Sequence, residues 1–283
     1  MTSGIPVIRA IPDLRAQVRS WRGRGESVAL IPTMGALHEG HLQLVRLARS
    51  RAKRAVVSIF VNPTQFAPHE DFERYPRDEA GDLAKLAAVG CDAVWGPTLD
   101  VMYAEGFATR IVPAGAADGL ESDFRPHFFG GVATVCCKLF TQVLPDIAVF
   151  GEKDYQQLMV VTQMVRDLDL PLEIVGAPTV READGLAMSS RNAYLSAEER
   201  SAAPTMHRAI REVAARVAGG SDIEEATSAA KAALMQAGFG KIDYVEVRDA
   251  VTLKPVRPDA GRPLRVLAAA WLGKTRLIDN VGD

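Results

Sequence analysis

Two histidines three positions apart, His38 and His41, sit in the run Ile31-Pro-Thr-Met-Gly-Ala-Leu-His-Glu-Gly-His. The run leaves a predicted strand through a glycine-containing loop and enters a predicted helix. At a helix start this spacing puts both imidazoles on one face, beside backbone N–H groups and the positive end of the dipole. Phosphate oxygens can then be met by several donors at once. The pattern is not the zinc motif, whose histidines are i and i+4. It contains neither Gly-x-x-x-x-Gly-Lys-Ser/Thr nor Gly-x-Gly-x-x-Gly, so a P-loop and a dinucleotide fingerprint are both excluded. Taken alone, a glycine turn with two surface histidines accounts for the same residues.

Three further segments have chemistry-bearing spacing. Phe60-Val-Asn62-Pro-Thr-Gln65-Phe follows a β-branched run, and amides at a strand's carboxyl end orient a polar ligand without adding charge. The same residues also make an ordinary Asn-Pro turn. In Val149-Phe-Gly151-Glu-Lys153-Asp154-Tyr-Gln156-Gln157, Lys153 is a point charge able to follow phosphate charge, and Gln157 shares its face one turn on. Asp154 also suits a helix N-cap, which leaves Lys153 unexplained. The fourth segment, Pro178 to Asn192, places Met188-Ser189-Ser190-Arg191 where two hydroxyls beside an arginine can clamp phosphate on a movable backbone. A polar hinge loop is the plainer reading of it.

The elements that must position these residues follow from periodicity. Strand candidates fall at 28–31, 55–61, 92–95, 146–150 and 172–176. Helical stripes lie between them at 41–53, before Gly90, at 132–144 and at 158–168. Strands alternating with helices predict an α/β fold, a doubly wound parallel sheet of Rossmann type, with ligands at the carboxyl ends of its strands. The first domain is expected over 1–179. From 180 to 283 the character changes: Ser196-Ala-Glu-Glu and Ser221-Asp-Ile-Glu read as capping-box starts of two Ala-rich helices, and strand-like runs follow at 242–247, 264–271 and 275–278. A smaller C-terminal α+β domain is expected there. No Gly/Ser linker separates the two parts, so they are expected to meet in a cleft.

Composition bounds the function. The chain has 283 residues, 33 Lys+Arg against 35 Asp+Glu, and 48% hydrophobic residues. That excludes a disordered scaffold, and the near-zero net charge removes the electrostatic footprint of a nucleic-acid or membrane coat. The expectation is no nucleic acid and no membrane partner. Three cysteines, Cys91, Cys136 and Cys137, lack zinc spacing and read as reduced core thiols. No charged n-region precedes a long apolar stretch, and no apolar run reaches the roughly 18 residues of a membrane helix. A cytoplasmic location is expected.

The His-x-Gly-His helix start together with the later Met-Ser-Ser-Arg loop resembles the two ATP signatures of the nucleotidyltransferase superfamily that includes class I aminoacyl-tRNA synthetases. The fuller set, with Phe-Val-Asn-Pro-Thr-Gln-Phe, Tyr75-Pro-Arg, Phe-Gly-Glu-Lys-Asp-Tyr-Gln-Gln and Arg-Glu-Ala-Asp-Gly-Leu-Ala-Met-Ser-Ser-Arg-Asn in order from 31 to 195, resembles the pantothenate synthetase family. The resemblance implies that ATP and (R)-pantoate form a pantoyl adenylate with release of pyrophosphate. β-Alanine then displaces AMP to give pantothenate, on the route to coenzyme A. It implies an ATP site lined by Met34, Gly35, Ala36, Leu37, His38, Glu39, Gly40, His41, Gly151, Glu152, Lys153, Asp154, Val180, Met188, Ser189, Ser190 and Arg191. His41, His38 and Lys153 are its expected catalytic groups. Gln65, Gln157 and Asn62 are expected to hold pantoate and β-alanine, and Asp82 to stand near a magnesium ion that accompanies ATP. No organic prosthetic group is expected, the C-terminal part is expected to act as a lid, and the chain is expected to form a homodimer.

One stretch departs from the family pattern Arg-x-Gly-His-Phe-x-Gly-Val. Here the chain reads Arg125-Pro-His127-Phe128-Phe129-Gly130-Gly131-Val132, so Phe128 takes the histidine position and His127 lies one earlier. Either the glycines let the backbone rotate His127 into that place, which is the reading preferred, or Phe128 faces the ligand and shields it. Two other functions fit the motifs less fully. A nucleotidyltransferase that stops at AMP transfer to a phosphate acceptor would release no free AMP. A regulatory module that binds ATP without turnover would not need Lys153 and the histidine pair around departing phosphate.

Overall fold

The structure is a computed structural model and describes residues 4–67, 72–256 and 261–282. In chain order the elements are β1 (Val7–Ile8), α1 (Ile11–Arg22), β2 (Val28–Thr33), α2 (Glu39–Arg51), β3 (Arg54–Ile59), α3 (Glu79–Ala88), β4 (Ala93–Trp95), α4 (Leu99–Met102), α5 (Glu121–Phe124) and α6 (Phe128–Val143). Then come β5 (Ile147–Gly151), α7 (Tyr155–Asp167), β6 (Glu173–Ala177), α8 (Ala197–Ala202), α9 (Thr205–Ala218), α10 (Ile223–Gln236), β7 (Phe239–Asp249), β8 (Leu264–Leu272) and β9 (Thr275–Gly282). Two compact units are present. One ends at Glu152 and resumes from Val160 to Pro178; the other holds Lys153–Met159 and the chain from Thr179 onward.

The first unit is built on a parallel sheet of order β1-β4-β3-β2-β5-β6. Its central strand is apolar without alternation: Val28, Ala29, Leu30 and Ile31 are all 0% exposed, as a strand covered on both faces requires. One layer of the core joins Ile31, Val57, Val94 and Val149 to Leu44, Val45 and Ala48 of α2. α6 is buried along nearly its whole length, from Phe129 to Val143, and its Gln142 accepts a 3.0 Å hydrogen bond from the buried Trp95 indole. From β2 the chain winds outward through β3 and β4, then returns past β2 to β5 and β6. The winding therefore reverses between β2 and β5, the switch point at which open α/β sheets bind ligands. The strand Val7–Ile8 was not among those expected; it pairs with Val94–Trp95 at the sheet edge. Cys91 and Cys136 are buried free thiols, pushed up by burial to about 11 and about 12; Cys137 is half-buried.

The second unit packs helices on a three-stranded antiparallel sheet of order β7-β8-β9. Met206, Ile210, Val213 and Leu234 meet Phe239, Val245, Val266 and Leu277 in its core. The Ser196 capping box is present: Glu199 N–H donates to Ser196 Oγ at 3.2 Å, and Ser196 N–H to Glu199 Oε2 at 2.8 Å. The helix it starts has only six residues, because Pro204 lacks an N–H and begins a separate helix, α9. The second cap is Asp222, one residue later than expected, with its carboxylate accepting from Glu225 N–H at 3.0 Å. Three helices thus replace the two anticipated. No helix among the described residues is long and apolar enough to cross a membrane.

Candidate active site

The turn between β2 and α2 lies at the switch point and carries Met34 to His41. Gly35 (φ +84°) and Ala36 (φ +52°) are both left-handed, which tightens the turn. Space is also tight at Gly35, where a Cβ would come within 3.2 Å of both Asp82 and Ile59. The turn points the neighbouring N–H groups of Ala36 and Leu37 at one spot, an anion-binding concavity. Its anion is internal: Asp82 Oδ2 accepts from Ala36 N–H and Oδ1 from Leu37 N–H, each at 2.8 Å. Lys85 Nζ donates to Leu37 O at 2.8 Å and lies 3.6 Å from Asp82.

Asp82 is 1% exposed, and both of its oxygens are engaged with the turn. Asp82 therefore anchors the loop. The N–H groups of Ala36 and Leu37 are taken by it and do not face phosphate. Nor do three or more His, Cys, Asp or Glu side chains gather into a metal cage among the described residues.

His38 is the N-cap residue of α2 and His41 stands three positions on. Their ring centroids are 4.1 Å apart, so the predicted shared face exists. The backbone N–H of His38 donates to His41 Nδ1 at 3.3 Å. A ring nitrogen that accepts carries no proton, so this contact corresponds to the tautomer of His41 with its proton on Nε2.

After β3, Asn62 and Gln65 form one buried unit around the 3-10 turn Pro63–Gln65. Asn62 Nδ2 donates to Gln65 Oε1 at 3.1 Å and to Gly131 O at 3.2 Å. Its Oδ1 accepts from Tyr103 OH at 2.8 Å and from Thr64 Oγ1 at 2.9 Å. Burial pushes the Tyr103 phenol up, keeping it a donor. The Asn62 amide is thus engaged within the protein and holds Gln65. Gln65 Nε2 reaches Met34 Sδ at 3.1 Å, which links this turn to the histidine loop.

At 125–132 the expected glycine freedom is absent. Gly130 and Gly131 lie inside α6 and neither has a positive φ, so they do not supply rotational freedom. Gly131 is needed for close approach: a Cβ there would fall 2.5 Å from Thr64 O and 2.8 Å from Gln65 N. Phe128 stacks on Arg125, whose guanidinium lies 3.9 Å from the ring centroid and donates to Gln65 O at 3.2 Å. His127 is the N-cap residue of α6, and its Nε2 is buried with no hydrogen-bond partner among the described residues.

Within the second unit, Lys153 is largely buried, 3.7 Å from Asp154 Oδ2. Its carbonyl accepts from Asn280 Nδ2 at 2.8 Å. Gln157 is half-buried on the first turn of α7. Val180 to Met188 form a tight hairpin: Met188 N–H donates to Val180 O at 3.0 Å, Arg181 bridges Ala187, and Gly185 turns at φ +95°. Ser189 Oγ then caps the 3-10 turn Ser190–Tyr194 by accepting from Arg191 N–H at 3.3 Å. Ser190 and Arg191 lie on that turn.

A parallel sheet whose winding reverses beside a paired-histidine helix start defines an α/β, Rossmann-like nucleotide-dependent enzyme. The match is closer than the class. The family profile described as pantoate-beta-alanine ligase matches residues 6–282, and the chain belongs to that family. It is 57% identical to a pantothenate synthetase of Caulobacter vibrioides, covering 99% of each chain. It is 61% identical to one of Mesorhizobium japonicum, over 97% of this chain and 96% of that one. A solved pantoate-beta-alanine ligase from Francisella tularensis, complexed with beta-gamma ATP and beta-alanine, superposes with TM-score 0.82 at 32% identity. It covers 98% of this chain and 97% of that one.

Proposed function

We propose that this chain condenses (R)-pantoate with β-alanine through a pantoyl adenylate, releasing pyrophosphate and then AMP. The paired imidazoles at the start of α2, with the His41 tautomer set by a backbone N–H, carry the proposal. In the first step a pantoate carboxylate oxygen attacks the α-phosphorus of ATP and the bond to pyrophosphate breaks. Charge builds on the phosphoryl and departing oxygens. His41 donates from Nε2 to that charge, with His38, Lys153, Ser189, Ser190 and Arg191 as further donors along the polyphosphate. Preorganised donors of this kind act by electrostatic stabilisation, so no covalent protein nucleophile is needed. The remaining ATP contacts are assigned to Met34 to His41, Gly151 to Asp154, Val180 and Met188. Gln65 and Gln157 hold pantoate.

In the second step the β-alanine amine attacks the acyl carbon, loses a proton, and AMP leaves. ATP enters as its magnesium complex. Magnesium commonly keeps several waters and is held largely by substrate phosphates, which suits a chain whose Asp82 is engaged elsewhere. His127, with a buried unpartnered Nε2, is assigned the contact that the family gives its histidine. Residues 180–283 are assigned a lid role, and the protein is assigned to the cytoplasm as a homodimer.

Incubation with ATP, magnesium, pantoate and β-alanine tests the reading. AMP is the expected nucleotide product; ADP would place the chain among phosphoryl-transfer ligases instead. A dinucleotide with no free AMP would mark the alternative nucleotidyltransferase.

A further inference from the structure

Asp279 and Asn280 follow one another on β9 and are 5% and 3% exposed. Successive side chains on a strand point to opposite faces, so two adjacent buried polar residues break the alternation of a sheet with one wet face. Each is engaged by a different segment. Arg181 grips Asp279 with both arms, Nη1 to Oδ2 at 2.7 Å and Nη2 to Oδ1 at 2.9 Å. The same guanidinium donates to Gly185 O at 3.1 Å and Asn280 O at 3.2 Å, tying the hairpin that leads into Met188–Arg191 to the strand. Asn280 Nδ2 donates to Lys153 O at 2.8 Å, and its Oδ1 accepts from Arg265 Nε at 2.7 Å. Arg265 in turn lies over the Tyr155 ring, 3.9 Å from its centroid, and Tyr155 OH donates to Ala250 O at 2.8 Å. A buried ion pair gives a sheet no more stability than well-packed apolar side chains would. Its distinctive product here is geometric: one dipeptide fixes the main chain at both Lys153 and the 180–188 hairpin.

We propose that Asp279 and Asn280 are positioning residues for adenylate formation. Asn280 sets the backbone from which Lys153 reaches phosphate, and Asp279, through Arg181, sets the approach of Ser190 and Arg191. This rests on the phosphate-binding role assigned to Lys153 above.

Asn280→Asp is the informative substitution, because it keeps the acceptor for Arg265 and removes the donor to Lys153 O. Asn280→Thr is carried in parallel, since a β-branched residue suits a strand and lacks the reach of the amide. Both are assayed in the full chain by pantoate-dependent exchange of labelled pyrophosphate into ATP, alone and combined with Lys153→Met, after thermal melts identify which variants remain folded. Turnover of exchange should fall about tenfold for Asn280→Asp with the pantoate KM unchanged, the scale of a misplaced charge-bearing group. In the Lys153→Met background the Asn280 substitutions should cost no more than about twofold, because coupled residues are non-additive. Normal exchange in either folded Asn280 variant overturns the proposal. So does an equal loss in both backgrounds, or a loss confined to the pantoate KM. If Lys153→Met alone exchanges like the parent, the role of Lys153 falls first and the proposal with it.

Discussion

The backbone N–H of His38 points at Nδ1 of His41, 3.3 Å away, inside the first turn of α2. This one bond separates two roles of the same side chain in the proposed mechanism: Nδ1 closes the helix start, and Nε2 serves as the donor. His41→Asn retains a short polar group that can accept from His38 but has nothing at the Nε2 position. Losing a preorganised donor to transition-state charge costs on the order of 10²–10³ in rate, so His41→Asn and His41→Ala should both lose that much pyrophosphate exchange. Exchange in His41→Asn near that of the parent would reduce the histidine to a helix-start residue.

Asp82 gives a second prediction. Asp82→Asn keeps the shape but leaves one of the two turn N–H groups facing an NH₂ group, at a cost of about 1–3 kcal/mol. Melting temperature and the affinity for ATP should both fall. The magnesium concentration for half-maximal rate should stay within about twofold of the parent, since the carboxylate acts on the turn. A large shift in that concentration alone would return Asp82 to the metal.

At Gly131 the prediction concerns pantoate. Gly131→Ala places a methyl 2.5 Å from Thr64 O, so the turn carrying Gln65 must move. Overpacking of this kind costs about 1–3 kcal/mol. Steady-state kinetics should show a raised KM for pantoate with the KM for ATP little changed. Phe128→Ala, which removes the ring under Arg125, should act in the same direction.

Much of this architecture is legible from residue order because parallel strands covered on both faces read as unbroken apolar runs, as at Val28–Ile31 and Val56–Val57. β1 is not legible: two residues between Pro6 and Arg9 carry no period. The shared face of His38 and His41 follows from spacing alone. The jobs of Asp82 and Asn62 do not, because their partners are set by tertiary approach; Asp82 meets Ala36 across 46 positions of chain. A glycine pair in sequence is likewise equally consistent with flexibility and close packing, and only the 2.5 Å approach at Gly131 distinguishes them. The paired burial of Asp279 and Asn280 had one visible signal, adjacent polar residues inside an apolar strand.

His207 supplies a pH dependence. Its imidazole lies beneath Gly185, where a Cβ would stand 2.7 Å from Nδ1. Burial first, then the positive charge of Arg181, holds its pKa below the ordinary 6.5. The unfolded chain therefore takes up this proton at higher pH than the native one does. The stability it contributes is complete above the ordinary value and is lost as pH falls from there through the depressed one. Melting temperature should fall more steeply between about pH 7 and pH 5 in the parent than in His207→Gln. Parallel curves would remove His207 from the account.

The adenylate route is tested most directly by exchange of labelled pyrophosphate into ATP with β-alanine left out. Carboxylate, ATP and magnesium suffice for the first step, so label should enter ATP when pantoate is present and fail to enter when it is absent. Exchange that appears only after β-alanine is added would contradict the two-step mechanism.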